Sequence, residues 1–371
     1  MQDLTWVEIS REAVVNNLAV LRGRIGEGVK LCVCVKANAY GHGLVEFSRL
    51  AASAGAEMLA MNALYEARAL REAGVDVPLF IMGYVALSDL AEAAELGASL
   101  VVYNLETVAA LGKLGRPVKV QIKIETGNNR QGVRLEDLAE FGRAILACGN
   151  IEVEGATTHF ANIEDTTDDS YARGQLANFE RGLAILREVG INPPLVHAAN
   201  SAATLLFDDA LFTMVRCGIA AYGLWPSKET LLSFRGIGEL KPVMSWKTRV
   251  AQVKKVAAGE FVGYGCTYRT TRATVLAILP VGYYDGFDRG AGAAYVLIRG
   301  KRAPVRGRIC MNIIMVDITD IAGVELEDEV VIIGESGSDR VTAEQFASWA
   351  GTINYEVVTR VNERIARRIN N

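Results

Sequence analysis

Lys36 closes a run of five apolar residues, Leu31-Cys32-Val33-Cys34-Val35, and a short turn containing Gly41 and Gly43 follows it. A run this short, apolar throughout and partly β-branched, is expected of a strand covered on both faces, as in a parallel sheet. Lys36 then stands where the strand leaves the core. Partial burial there disfavours the charged amine, and a neutral amine is a nucleophile suited to forming a Schiff base with an aldehyde. Taken alone, the same residues also describe a lysine whose stem packs while its head reaches water. Other apolar runs end in the same abrupt way. Lys123, Thr126 and Arg130 follow one, His159 and Asn162 the next, then Asn200 and Ser201, then Arg216, Gly218 and Ile219.

Strand-like and helix-like segments alternate so as to position these residues. The pattern predicts strands at 30–35, 57–61, 78–82, 99–102, 118–124, 151–157, 195–198 and 214–220. Helix-period segments separate them, at 45–54, 63–73, 89–96, 108–114, 135–147 and 171–189. Eight strand–helix units in about 220 residues match a (β/α)₈ TIM barrel, in which residues just past the strand C-termini form the active face. A doubly wound open sheet is the competitor, but no G-x-G-x-x-G follows the first of these strands. From about Leu240 the chain changes character. Segments at 243–256, 274–280, 295–298, 301–305, 313–318 and 329–333 alternate or run β-branched between glycine-rich turns, as in a mostly-β domain. One helix at 343–349 and a charged tail at 355–368 follow. We therefore expect an N-terminal strand (1–10) joining the β-domain, a barrel (11–235) and a C-terminal β-domain (236–371), with the boundary between Phe234 and Gly238.

In such barrels the loops after the seventh and eighth strands often bind phosphate. Asn200-Ser201 heads a helix, where unpaired N–H groups favour an anion, and Gly218-Ile219 allows close backbone approach. Ser201 as a plain helix cap accounts for the same residues. An aldehyde cofactor carrying a phosphate explains the lysine and the phosphate cup together, and pyridoxal phosphate is that cofactor.

Composition limits the alternatives. Half of the 371 residues are apolar and 22% are charged, so a sizeable core is expected. The net charge of -4, with no basic stripe, argues against a nucleic-acid partner. No apolar run is long enough to cross a bilayer, and the N-terminus lacks the pattern of a signal peptide. Six cysteines without a C-x-x-C pair read as reduced thiols of a cytoplasmic protein. Three histidines without H-E-x-x-H make a protein-built metal site unexpected.

Val35-Lys36-Ala37-Asn38-Ala39-Tyr40-Gly41-His42-Gly43 closely resembles the cofactor-lysine motif of the alanine racemase family, and the likeness extends almost end to end. Supporting stretches are Lys123 to Arg130, Thr158-His159-Phe160-Ala161-Asn162, His197 to Ser201, Val215 to Ile219, Val262-Gly263-Tyr264-Gly265, Gly282 to Gly286, Gly307 to Met311 and Ile353 to Glu356. The resemblance implies a homodimer that interconverts L- and D-alanine on pyridoxal phosphate and supplies D-alanine for peptidoglycan. Lys36 would hold the cofactor and act as one base, and Tyr264 of the partner subunit as the other. Two bases on opposite faces of one carbon are the direct route to inversion. His159 and Arg216 would form the relay behind Tyr264, with Arg216 facing the pyridine nitrogen. Asn200 also belongs to the implied cofactor set, and Tyr40, Ser201, Gly218, Ile219 and Tyr355 match phosphate ligands. Arg130 and the partner subunit's Met311 would hold the substrate carboxylate. Lys123 aligns with a lysine often carbamylated, and a plain salt-bridged lysine is the alternative. Glu164, Tyr283, Arg289 and Ile353 match the lining of the substrate corridor.

The chain departs from the family pattern at Cys217, Gln131, Asn128 and Asn312, and its tail Arg364-Ile365-Ala366-Arg367 lacks a familiar proline. None of these removes a catalytic group. Asn128 and Asn312 match positions near the substrate carboxylate, which opens the alternative of a racemase acting on serine or larger amino acids. Tyr355 points the other way, because its bulk crowds side chains larger than methyl. A non-catalytic barrel of the pyridoxal-phosphate-homeostasis type is a third reading, and the residues from about Leu240 onward argue against it.

Overall fold

The computed structural model describes residues 3–164, 167–234 and 238–370. The chain forms two compact units, one made of Ala13–Ala37 and Phe47–Lys241, the other of Met1–Glu12, Asn38–Glu46 and Pro242–Asn371. The boundary expected at 235/236 falls on residues 235–237, outside the described residues.

The chain starts with β1 (Thr5–Ser10), which belongs to the second unit. The first unit is built on β2 (Lys30–Cys34), β3 (Met58–Met61), β4 (Leu79–Ile81), β5 (Ser99–Val102), β6 (Val118–Lys123), β7 (Ile151–Thr157), β8 (Leu195–His197) and β9 (Met214–Cys217). Neighbours pair in parallel in the order β8-β7-β6-β5-β4-β3-β2-β9. The two ends of that order also meet. Thr213 N–H donates to the Val196 carbonyl at 3.1 Å and Arg216 N–H to the Ala199 carbonyl at 2.9 Å, so the sheet nearly closes on itself. This is the eight-stranded barrel that the alternation predicts. Every residue of β3, β4, β5 and β9 is buried, which is why β3 and β4 read as continuous apolar runs.

Helices cover the strands through single apolar stripes. In Ser170–Glu188 the buried positions are Ala172, Gln175, Leu176, Phe179, Gly182, Leu183 and Leu186, a 3.6-residue period. Gly182 sets the distance of approach, since a Cβ there would lie 2.9 Å from Ile124 Cγ2. Burying a side chain such as Phe179 contributes about 1.5–3 kcal/mol.

The second unit holds the other strands. They are β10 (Met244–Arg249), β11 (Gln252–Val256), β12 (Phe261–Val262), β13 (Tyr268–Arg269), β14 (Thr274–Leu279), β15 (Tyr295–Ile298), β16 (Lys301–Pro304), β17 (Ile314–Asp317), β18 (Glu329–Ser336), β19 (Asp339–Val341) and β20 (Ala366–Asn370). The main sheet runs β16-β15-β18-β10-β1-β20, with β19 beside β18. A second sheet runs β11-β14-β17, and β12 pairs with β13. Trp246, Phe287 and Phe346 pack together in its core with ring centroids 5.0–6.4 Å apart. Among the described residues no helix is long and apolar enough to cross a membrane.

Two segments differ from expectation. The run 243–256 is not one strand, because the chain leaves β10 at Val250, whose N–H bonds Asp328 O. It enters the second sheet at Ala251, whose N–H bonds Ile278 O. The charged tail is a helix (Asn354–Thr359) followed by β20, which pairs parallel with β1. Its charges suit an edge strand: Arg368 pairs with Asp3 and covers the ring of Trp6.

Candidate active site

β2 delivers Lys36. The ladder continues through Val35, whose N–H bonds Ala60 O at 2.7 Å, and the chain then turns in an unusual way. Ala37, Asn38, Ala39 and Tyr40 have φ of 55°, 55°, 51° and 52°, four successive L-residues in a left-handed helical turn. Each costs roughly 1–2 kcal/mol against the right-handed form, so the surroundings must fix the turn strongly. Asn38 Oδ1 accepts from Leu44 N–H at 2.8 Å, and Asn38 O from Gly43 N–H at 3.0 Å. Arg367 donates to Gly41 O through Nε and Nη2, at 3.2 and 2.8 Å. Gly41 is obligatory, because a Cβ would fall 1.9 Å from Val358 O. His42 Nδ1–H donates toward the carbonyls of Ala39 and Tyr40, and burial pulls its pKa down to about 3. His42 is therefore a neutral structural residue.

The ends of β6 to β9 bring a second group of side chains together. Arg216, only 5% exposed, donates through Nη1 to Thr157 Oγ1 (3.0 Å), His197 O (3.0 Å) and His197 Nδ1. Through Nη2 it donates to Thr158 O (2.8 Å), Ala198 O (3.2 Å) and His159 Nδ1 (3.4 Å). A guanidinium only donates, so both imidazoles accept on Nδ1 and are neutral with the proton on Nε2. His197 Nε2–H continues to Gln121 Oε1 at 2.7 Å. Burial, then the Arg216 charge, holds both histidines well below their ordinary pKa. Burial also lowers Arg216 itself. Lys123, at the end of β6, is lowered to about 8 by burial first and then by Arg216 and Arg130. Its field also includes Lys36, so Lys36, Lys123, Arg130 and Arg216 make a cationic cluster that Glu125 offsets only in part. Such a cluster favours an anionic ligand. Burial pushes the thiols of Cys32, Cys34 and Cys217 up, the last to about 12, so they are inert.

The loop after β8 has the chemistry of an anion cup. Asn200 Oδ1 caps the following helix by accepting from Ala203 N–H at 3.0 Å, and its Nδ2 donates to Glu164 at 3.1 Å. Ser201 Oγ accepts from the N–H groups of Gly218 (2.9 Å) and Ala220 (3.3 Å), which leaves its own hydrogen to donate. The first N–H groups of the helix, at Ser201 and Ala202, have no partner within it. Asn162 and Arg130 are exposed.

The remaining expected residues lie in the second unit. Tyr40 and Tyr355 are neighbours there, with ring centroids 6.2 Å apart. Tyr264 is 71% exposed between Gly263 and Gly265, both at positive φ. Its loop lies against the loop of Arg308, and Gly282 lies so close to Cys310 and Met311 that a Cβ would come within 2.3 Å of Cys310 O. Tyr264, Tyr283 and Met311 are thus presented by adjoining loops, all exposed, and Arg289 and Ile353 are exposed as well.

Sequence reasoning missed several residues that hold the site. Gln175 holds the main chain before and after Phe160, donating to His159 O (3.2 Å) and accepting from Ala161 N–H (2.8 Å). Asn128, which the sequence marks as a departure from the family pattern, also donates to His159 O, at 3.3 Å. A signal existed for Gln175, which sits on the apolar stripe of its helix.

Comparison with known proteins agrees from end to end. Residues 9–226 match the family model described as alanine racemase, N-terminal domain, and residues 243–369 that of the alanine racemase C-terminal domain. An alanine racemase of Desulforamulus reducens is 40% identical over 374 residues, covering 99% of both chains. One of Methanococcus maripaludis is 40% identical, covering 98% of this chain and 97% of that one. Among solved structures, the alanine racemase of Bacillus anthracis with bound L-Ala-P superposes with a TM-score of 0.95 at 36% identity. It covers 100% of this chain and 96% of that one. The alanine racemase of D-cycloserine-producing Streptomyces lavendulae gives 0.92 at 36% identity, with 100% and 98% covered.

Proposed function

The chain belongs to the alanine racemase family, and from that membership we propose that it interconverts L- and D-alanine on pyridoxal phosphate. The observation that carries the reading is the barrel mouth. One lysine at the end of β2 shares its field with Lys123, Arg130 and a buried Arg216 that donates to two neutral histidines. The donor set fits the cofactor: an amine for the aldehyde, the Ser201 hydroxyl and the helix-start N–H groups for the phosphate, and a guanidinium for the ring nitrogen. When bound, pyridoxal phosphate supplies an electron-withdrawing ring that acidifies the α-hydrogen of the amino acid.

The side chains do the rest. Lys36 holds the cofactor and then moves a proton on one face of the α-carbon. The partner subunit's Tyr264 moves a proton on the opposite face. His159, neutral with Nδ1 turned to Arg216, presents Nε2–H as the relay behind that phenol. Arg216 does not give up a proton to the ring nitrogen, which limits how far negative charge spreads and so limits side reactions. Tyr40, Asn200, Ser201, Gly218, Ile219 and Tyr355 hold the cofactor, chiefly at its phosphate. Arg130 and the partner subunit's Met311 N–H hold the substrate carboxylate. A Lys123 amine titrating near pH 8 is partly neutral at physiological pH, the form that adds carbon dioxide, which supports its carbamylation. Glu164, Tyr283, Arg289 and Ile353 line the approach.

The exposed Tyr264 and Met311 support a homodimer, because neither residue can select a substrate from open water. Free thiols throughout the described chain support a cytoplasmic location, and D-alanine for peptidoglycan is the use we assign. Asn128 is engaged with the carbonyls of His159 and Phe160, and the bulk of Tyr355 favours alanine over larger substrates.

The test is direct. The purified protein is expected to show the visible band of lysine-bound pyridoxal phosphate and to convert L-alanine in heavy water to α-deuterated D-alanine. A colourless protein that takes up no cofactor, or α-exchange without inversion, overturns the reading. Comparing alanine, serine and lysine as substrates decides the breadth.

A further inference from the structure

A buried carboxylate lies behind Lys36. Glu66 is 1% exposed, in the third position of the helix Leu64–Glu72 that follows β3. Its Oε2 does what an acidic residue at this position commonly does, accepting from the N–H groups that lead into its own helix, Asn62 (2.8 Å) and Ala63 (3.0 Å). Its Oε1 does something that capping does not require. It accepts from Ala37 N–H at 2.7 Å, across to the end of the neighbouring β2. That N–H belongs to the peptide joining Lys36 to Ala37, and it opens the left-handed turn, whose first donors have no partner within it.

We propose that Glu66 is the positioning residue for Lys36: by holding the Lys36–Ala37 peptide plane, it aims the amine at the reacting carbon. The inference rests on the reading of Lys36 as the cofactor lysine. The physical case is the mismatch between what the turn needs and what its sequence provides. Ala37, Ala39 and Tyr40 have no preference for positive φ, so the direction of the chain after Lys36 must be imposed from outside. A carboxylate accepting three N–H bonds in a water-poor place is a strong and directional anchor. Catalytic groups tolerate little misplacement, and about 1 Å is worth roughly 10²-fold in rate.

Glu66→Gln separates positioning from folding. A carboxamide has one accepting oxygen. Turned toward Asn62 and Ala63, that oxygen keeps the helix start and sets the amino group against Ala37 N–H, donor to donor. Glu66→Asp is the second variant: it keeps the charge and can still cap its own helix, but it is one methylene too short to reach Ala37 as well. The full-length chain is studied with and without added pyridoxal phosphate, by amide hydrogen exchange, thermal melting, and kcat and KM for alanine.

For both variants we expect exchange in 36–43 to rise roughly tenfold, the scale of one lost charge-assisted hydrogen bond. Exchange in 62–72 should change little, kcat should fall about 10–100-fold and KM should stay within about twofold. Wild-type exchange in 36–43 with wild-type kcat overturns the proposal. So does a general loss of protection and melting temperature with kcat per folded molecule unchanged, which is a structural role only. If the unsubstituted protein takes up no pyridoxal phosphate, the functional reading fails. The cofactor-free exchange data still decide whether Glu66 holds the turn.

Discussion

Arg216 and Tyr264 sit in the two units under opposite conditions. Arg216 is buried at the ends of the barrel strands and makes six hydrogen bonds, to two imidazoles, a hydroxyl and three carbonyls. Tyr264 stands in water on a loop flanked by two glycines, and Met311 on the adjoining loop is exposed as well. The barrel mouth contains within itself what fixes its charges and tautomers. The loop surface offers reactive side chains and nothing of its own to enclose them. Pre-organisation is thus built into one unit, while the groups of the other become useful only once covered, which is what the proposed sharing of the site between protomers would supply.

Substitutions in the two units put that contrast to the test. The largest effect is expected from Lys36→Ala. It should abolish the lysine-bound absorption band and lower racemisation by at least roughly 10³-fold, measured by conversion of either enantiomer. Tyr264→Phe follows. It should keep the yellow cofactor and the fold, since the side chain is exposed, while abstraction from L-alanine falls roughly 10²–10⁴-fold. Rapid turnover in both directions by this variant contradicts the two-base scheme. Arg216→Met should act on stability as well as activity. It strands the Ala198 carbonyl and takes one donor from those of Thr158 and His197, which keep Thr157 Oγ1 and Thr158 N–H, and a urea titration should lose about 1–3 kcal/mol. The same titration on Tyr264→Phe should move by less than about 0.5 kcal/mol, which sharpens the comparison.

The smallest effect is a pH dependence. His42, His159 and His197 are held neutral in the fold below their ordinary pKa, so the unfolded chain binds more protons than the folded one. Their contribution is complete above about pH 6.5 and declines as the pH falls below it, by up to about 1.4 kcal/mol per unit for each histidine. For His42 the decline runs from about 6.5 down to about 3. Urea midpoints at pH 7, 6 and 5 should fall in that order, and equal midpoints would show that these imidazoles do not titrate on unfolding.

Much of the barrel and of its mouth was legible because the signals are local. Apolar runs with period-free burial mark the strands, and Lys36, Lys123, His159, Asn200 and Arg216 are polar residues that end or interrupt them. The left-handed turn was not legible, because Ala37, Ala39 and Tyr40 carry no sign of positive φ; contacts distant in sequence, such as Arg367 to Gly41, impose it. Nor was the membership of 38–46 in the second unit, since no compositional change marks it. The strand β20 was hidden by its charges, Arg367 and Arg368, which are compatible with an edge position but read as a tail. Gln175 was readable and overlooked, a lone polar residue where the pattern calls for an apolar one. Gln121 was not, because it falls on the polar phase of β6 with Lys119 and Lys123.

The proposal that two protomers share each active site has its decisive test in mixing Lys36→Ala with Tyr264→Phe after dissociation and reassociation. Each variant alone is expected to be nearly inactive. Statistical exchange makes half of the dimers mixed, each with one site that combines an intact lysine with an intact tyrosine, so activity should return to about a quarter of wild type. A mixture that forms dimers yet stays as inactive as its parents would show that both bases come from one chain.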